Sequence, residues 1–383
     1  MKVLQVGKFY YPYRGGIETY LRDLCLGLKD RVDLKVLVSN TNHRTVRETV
    51  EGVDVIRAGR WGRLAATSIC PSFPRLLKQN AGDIISIQHP DPLAAISYLS
   101  ARPPGKMVVA YQSDIIRQRF TKYLYRPFLL SFLSRAQAII VTSPLFIESS
   151  PVLHRFRDKC VVIPIGINPN DYLSHPSIGE KTKEIQRRHG DRIVLFIGRL
   201  ALYKGIEYLL KAMEGVDGKL IIVGKGGRLG ALAMMVASHH LEDKVFLMGE
   251  VSRDDLLAYL HACSVFCLPS ITRNEAFGIV QLEAMACSRP VVSTRLDTGV
   301  NYINLDRETG LVVPPQDSGK LRDALNELLS NPELRKKLGR QGRERVKREF
   351  TKEKMAVRTF DLYQNLALAS LGQRSEVPKV PKV

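Results

Sequence analysis

The chain has 383 residues, 45% hydrophobic and 25% charged, which excludes disorder over most of its length and suits two domains with a core each. Its 57 lysines and arginines against 38 acidic residues give a net charge of +19 that favours anionic partners; with no zinc finger, RNP-like aromatic strand or basic heptad, nucleic acid is not expected among them. The six cysteines form no Cys-x2-Cys pair and sit mostly in apolar segments, so they read as reduced, buried thiols.

From the start of the chain, residues 1–7 are too short an apolar run for a signal peptide, and no later run is long enough to cross a bilayer. A cytoplasmic protein is expected, peripheral at most to the inner face of the cell membrane. Short β-branched runs at 3–6, 34–38, 83–87, 106–111, 138–141 and 160–163 read as strands, with a further one at 54–57. Between them lie amphipathic stretches such as 17–28. A second cycle follows a Pro/Gly/Asn-containing joint at 164–190. Its strands are expected at 192–197, 219–223, 244–247, 265–268 and 290–293, and its helices at 205–213, 228–238, 254–259 and 278–285. The alternation predicts an α/β protein of two Rossmann-like domains facing across a cleft. The boundaries read as 1–167 for an acceptor-side domain and 168–350 for a nucleotide-sugar domain. A helix over 351–372 would cross back to the first domain, and 373–383 would be a loose tail.

Ligands in such folds gather at loops that follow strands, and three loops here carry suitable chemistry. After the first strand, Gly15-Gly16 opens a helix whose free N–H groups suit an anion; the spacing is not that of the dinucleotide fingerprint. After the first strand of the second half, Gly198-Arg199-Leu200 and Tyr203-Lys204-Gly205 place two cations before a helix, suited to a diphosphate. Glu275-Ala276-Phe277-Gly278-Ile279 leads into a helix bearing Glu283. One carboxylate can accept from sugar hydroxyls and the other from ribose hydroxyls, with a second anion site at Gly278.

Together these pieces resemble glycosyltransferase family 4, a retaining family of GT-B architecture. The likeness runs over essentially the whole chain: Gly15-Gly16, Gly198-Arg199-Leu200, Val223-Gly224-Lys225-Gly226, the two glutamates spaced eight positions apart, Pro290-Val291-Val292-Ser293-Thr294 and Glu308-Thr309-Gly310. The resemblance implies that Arg199 and Lys204 bind the donor diphosphate. It implies that Glu275 contacts the transferred sugar with the N–H groups of Phe277, Gly278 and Ile279, and that Glu283 binds ribose. Gly16 would lie against phosphate or acceptor, Gly198 and Gly224 would line the donor site, and Val251 would belong to the base-binding loop. No metal or other cofactor is implied, and no Asp-x-Asp metal motif stands in a matching context.

One position departs from the family's pattern. Where many relatives carry His before Ser-Asp, this chain has Gln112-Ser113-Asp114; in the segment Ser86-Ile87-Gln88-His89-Pro90 the histidine is displaced by one residue. A carboxamide cannot act as a base. Gln112 orients the donor sugar, or His89 serves as proton relay, or the chain is a catalytically weak sugar-nucleotide-binding partner subunit. The expected reaction is metal-independent hexosyl transfer from a nucleotide-diphosphate sugar to a lipid-linked glycan or polysaccharide. GDP-mannose is the favoured donor, and UDP-hexoses are the alternative. Residues 112–135, with Arg117, Arg119, Lys122, Arg126 and Arg135 among aromatic residues, suit an anionic membrane surface as well as they suit a core-facing helix.

Overall fold

The computed structural model describes residues 1–13, 15–64, 67–114 and 121–369, the side chains of 121–124 excepted. Arg117, Arg119, the side chain of Lys122 and everything expected of 370–383 lie outside the described residues. The chain forms two compact units, one comprising Met1–Gly166 and the chain from Lys352 onward, the other Ile167–Thr351.

In chain order, the first unit contains β1 (Lys2–Val6), α1 (Gly16–Leu28), β2 (Asp33–Ser39), β3 (Val46–Val50) and β4 (Val53–Ala58). A two-stranded ribbon of β5 (Gly62–Leu64) and β6 (Thr67–Ile69) comes next, then α2 (Phe73–Gln79), β7 (Ile84–His89), α3 (Pro92–Ala101) and β8 (Lys106–Tyr111). The unit continues with α4 (Thr121–Ser134), β9 (Ala138–Val141), α5 (Pro144–Ser149) and β10 (Cys160–Val162). Its sheet has the order β10-β9-β8-β7-β1-β2-β4-β3, parallel except for β3. Helices covering both faces explain why strands such as Ile84–His89 are buried at every residue and read as unbroken apolar runs. On one face Leu4, Ile85 and Val109 meet Phe73, Leu77, Ala94 and Phe132 from α2, α3 and α4. In the same unit, α1 packs against the helix Lys352–Leu368 (α14 below), where Gly27 lies so close to Ala356 that a Cβ would stand 2.5 Å from its methyl.

The second unit holds α6 (Pro176–His189), β11 (Ile193–Ile197), α7 (Ile206–Met213), β12 (Lys219–Val223), α8 (Leu229–Ser238), β13 (Val245–Gly249) and α9 (Arg253–Ala262). It continues with β14 (Val265–Leu268), α10 (Ile279–Ala286), β15 (Val291–Thr294), α11 (Gly299–Ile303), β16 (Gly310–Val313), α12 (Ser318–Ser330) and α13 (Pro332–Glu349); α14 (Lys352–Leu368) then belongs to the first unit. The sheet order β13-β12-β11-β14-β15-β16 is wholly parallel and is the doubly wound dinucleotide-fold order, reversing between β11 and β14.

The sequence and the structure differ at several elements. The joint expected over 164–190 contains the full helix α6, packed on α9. Its only buried side chains are Ile178 and His189, so it shows no apolar stripe. Strand β3 is an exposed edge without alternation, and the sequence reading also left out β16, α12 and α13. All six cysteines are buried and unbridged.

Candidate active site

Reversal of strand order between β11 and β14 opens the sheet edge of the second unit at the loops 198–205 and 269–278. There Lys204 Nζ lies 2.5 Å from Glu275 Oε2, with both residues nearly inaccessible, 7% and 8% exposed. Burial alone would lower the Lys204 pKa, but the adjacent Glu275 carboxylate, with Tyr203, outweighs it and holds the ammonium above its ordinary value. The Ser270 hydroxyl donates to the same Glu275 oxygen at 3.1 Å. Thr298 Oγ1 donates to the Glu275 carbonyl at 2.9 Å, and Thr294 Oγ1 donates to the Ser270 carbonyl. These hydroxyls come from the ends of β14 and β15 and from the cap of α11. The sequence reading missed them; their signal was Ser or Thr closing an apolar strand run.

Gly278 caps α10 with φ +78° and is buried; a side chain there would crowd Gln281 Nε2 at 2.8 Å and Leu268 at 2.9 Å. Phe277 is buried with its ring edge-on to Phe350, and Ile279 is the first residue of α10. Glu283, half-buried on the same helix, accepts from the Tyr172 hydroxyl; burial raises its pKa, and the Arg253 charge and the Tyr172 hydrogen bond oppose that. The Arg253 guanidinium stacks 4.6 Å over the Tyr172 ring. Tyr172 and Arg253, also unforeseen, therefore fix the second carboxylate. Arg253 follows Val251 by two residues.

Arg199 is not drawn into this cluster. It is exposed and has no ion-pair partner among the described residues. Gly198 N–H donates to the Val223 carbonyl at 3.0 Å and Gly224 N–H to that of Gly249 at 2.7 Å, so both glycines sit where three strands end side by side.

A second polar cluster lies in the first unit, at the ends of β7 and β8. Gln112 Nε2 donates to Gln88 Oε1 at 2.9 Å, and Gln112 N–H to the His89 carbonyl at 3.1 Å. His89 is 1% exposed, stacked on Tyr111 with ring centroids 4.4 Å apart, and neither ring nitrogen has a partner among the described residues. Burial lowers its pKa to about 3. Beside it Asp91 caps α3 through Oδ1, and burial pushes its pKa up to about 6. Gly15 caps α1, and the space over Gly16 is open for 4 Å. No group of three or more His, Cys, Asp or Glu side chains is placed to hold a metal ion among the described residues.

Comparison with known proteins decides what this machinery is. Residues 14–171 match the model described as Glycosyltransferase Family 4 and residues 177–345 that described as Glycosyl transferases group 1. The chain is 34% identical to the O-antigen chain mannosyltransferase C of Escherichia coli, over 98% of this chain and 100% of that one. The chain belongs to glycosyltransferase family 4. It is also 33% identical to the D-rhamnosyltransferase WbpZ of Pseudomonas aeruginosa, over 92% of each. To a GDP-mannose-dependent monoacylated phosphatidylinositol monomannoside mannosyltransferase of Corynebacterium glutamicum it is 26% identical, over 95% of this chain and 98% of the relative. Among solved structures, sucrose-phosphate synthase of Thermosynechococcus elongatus superposes with a TM-score of 0.80 at 24% identity, covering 96% of this chain and all of that one. The family 4 chain has the GT-B fold and is a glycosyltransferase that uses nucleotide sugars.

Proposed function

We propose that this glycosyltransferase moves a mannose-configured sugar from a GDP-linked donor to a lipid-linked glycan or polysaccharide, with retention and without a metal. The buried Lys204–Glu275 pair at the strand-order reversal of the second unit carries the reading. In the proposed reaction the anomeric C–O bond to the β-phosphate breaks while the acceptor oxygen bonds to the same face. The acceptor's proton passes to the departing diphosphate. Negative charge grows on that diphosphate, where Lys204, Arg199 and the N–H groups at the start of α10 would stabilise it in the role a metal could fill. Glu275, held by Ser270, would accept from the sugar's hydroxyls, and Glu283, held by Tyr172 and Arg253, from the ribose. The second unit would then be the donor domain and the first the acceptor side, with Gly15 and Gly16 near the phosphates or acceptor. Two relatives named for mannosyl transfer and one named for D-rhamnosyl transfer support the choice of sugar; UDP-hexoses are the competing donors.

Gln112 is best read as orienting the donor sugar. Its amide is tied to Gln88, whereas His89 is buried and neutral at any physiological pH. The decisive experiment pairs Arg199→Ala with Lys204→Ala. Arg199 is exposed and has no ion-pair partner among the described residues, so its loss should lower kcat/KM by roughly ten- to a hundredfold with an unchanged melting temperature. Lys204→Ala should lose at least as much activity and also melt earlier, because Glu275 is left buried without its cation. Wild-type rates in both variants would refute the diphosphate assignment. Saturating EDTA should leave most of the activity, and an absolute need for manganese or magnesium would overturn the metal-free reading.

A further inference from the structure

The β5–β6 ribbon stands outside the main sheet of the first unit and turns its apolar side chains outward. Trp61 is 79% exposed and Leu64 75%. Strand β6 alternates, with Ser68 buried and Ile69 exposed; the pairing of Gly62 with Ile69 and of Leu64 with Thr67 puts Leu64 and Ile69 on one face. Next to the ribbon, α3 packs against β6, and also against α2, α4 and β7. Ile96 on α3 and Phe128 on α4 are also exposed. Single exposed apolar residues are ordinary on a protein surface; several on adjoining elements are not.

Charge on this face is one-sided. Residues 59–80 contain no aspartate or glutamate, while Arg63, Arg75 and Lys78 are exposed and have no ion-pair partner among the described residues. Arg75 and Lys78 line a groove of about 680 Å³ beside Pro74, Gln79, Ser100 and Ala101. Some surface cations elsewhere are paired, as Arg22 is with Glu51 and Arg307 with Glu327. No helix among the described residues is long and apolar enough to cross a membrane.

We propose that this region, led by Leu64 and Ile69 on one side of the ribbon, with Trp61 at its base and with Arg63, Arg75 and Lys78 around it, docks on an anionic lipid bilayer. A protruding apolar edge enters the region between headgroups and acyl chains, and cations around it meet lipid phosphates. The inference rests on the proposed lipid-linked acceptor. It places the contact on the ribbon and α2, elements that the basic stretch 112–135 does not contain.

Trp61 is the only tryptophan in the chain, so intrinsic emission reports on this face without a label. The full-length protein is titrated with vesicles of phosphatidylcholine alone and of phosphatidylcholine with phosphatidylglycerol in equal parts. Emission should shift to the blue with the anionic vesicles only, and the shift should fade as salt is raised. Leu64→Asp, and separately Arg75→Glu with Lys78→Glu, should each weaken partitioning by roughly tenfold or more. Both should keep the wild-type melting temperature and the wild-type rate on a water-soluble acceptor glycan. The proposal is overturned if anionic vesicles sediment the protein while Trp61 still emits as in water, since another face then binds. It is equally overturned if the protein does not bind vesicles, or if emission shifts with protein concentration alone alongside a dimer in sedimentation velocity. Transfer to soluble glycan without vesicle binding would sink the docking face and spare the proposed function; vesicle binding without transfer from any donor would do the reverse.

Discussion

Two side chains in the first unit show how local surroundings set what a residue can do. Gln112 and Gln88 form a carboxamide pair in which each amide keeps some capacity for a ligand. Removing the Gln112 side chain should cost one neutral hydrogen bond, about 0.5–1.5 kcal/mol, and lower kcat roughly two- to tenfold. Gln112→His should preserve or raise the rate. An inactive wild-type enzyme that gains transfer only as Gln112→His would instead mark a weakened binding subunit. His89 makes a different prediction. Its pKa in the folded chain is about 3 against about 6.5 when unfolded, so between those values the unfolded chain binds more protons. Stability contributed by keeping the imidazole neutral is complete above pH 6.5. It should fall by roughly 1.4 kcal/mol for each pH unit below that. Asp91 works in the opposite sense, since its raised pKa favours the folded state below the usual carboxylate range and costs stability above pH 6. The test is therefore a difference. Denaturant unfolding at pH 7 and pH 4.5 should show a smaller loss in His89→Gln than in the parent, and an equal loss would rule out the buried neutral imidazole as a source of acid sensitivity.

Elements with an inward apolar stripe or run were legible in the sequence, and those without one were not. Val3, Leu4 and Val6 in β1 and Leu220 to Val223 in β12 are buried, and such runs announce themselves. Helix α6 buries only Ile178 and His189 and is otherwise tied to α9 by polar contacts such as Lys181 with Asp255, so its polar face dominates any periodicity. The two loops of the candidate site were legible for another reason. Gly278 must take a left-handed conformation to start α10, and that need leaves a glycine at a fixed place between the two glutamates. Ser270, Thr298, Tyr172 and Arg253 were invisible, because their role depends on which strand ends lie side by side. Gly278→Ala tests the loop as an element. The added Cβ is strained both by φ and by Gln281 and Leu268, so α10 must shift at its start. Activity should fall by at least tenfold while the melting temperature drops by a few degrees, and unchanged kinetics would mean that the start of α10 does not face the reacting groups.

At the scale of the whole molecule, the first unit is discontinuous: its last helix, α14, is separated from the rest by the entire second unit. Met355, Ala356, Leu362, Tyr363 and Leu366 are buried on it, and it is tied by Tyr363 to Gln5 and by Lys352 to Asp23. Losing that many buried side chains at about 2–5 kcal/mol each exceeds the stability of an ordinary domain. A chain ending at Thr351 should therefore keep the second unit and lose the first, read as a protease-resistant fragment spanning about 167–351. Full resistance over 1–166 in that truncated chain would show that α14 is dispensable.

The same discontinuity bears on birth of the protein at the ribosome. The segment up to Gly166 is made before the second unit, yet the helix that shields α1 is made only after it. At about 5–20 residues per second, translation of the intervening unit leaves the sticky flank of α1 bare for roughly 10–40 s. The second unit, continuous in sequence, meets no such delay. The nascent first half therefore waits with that flank of α1 uncovered until α14 has been made.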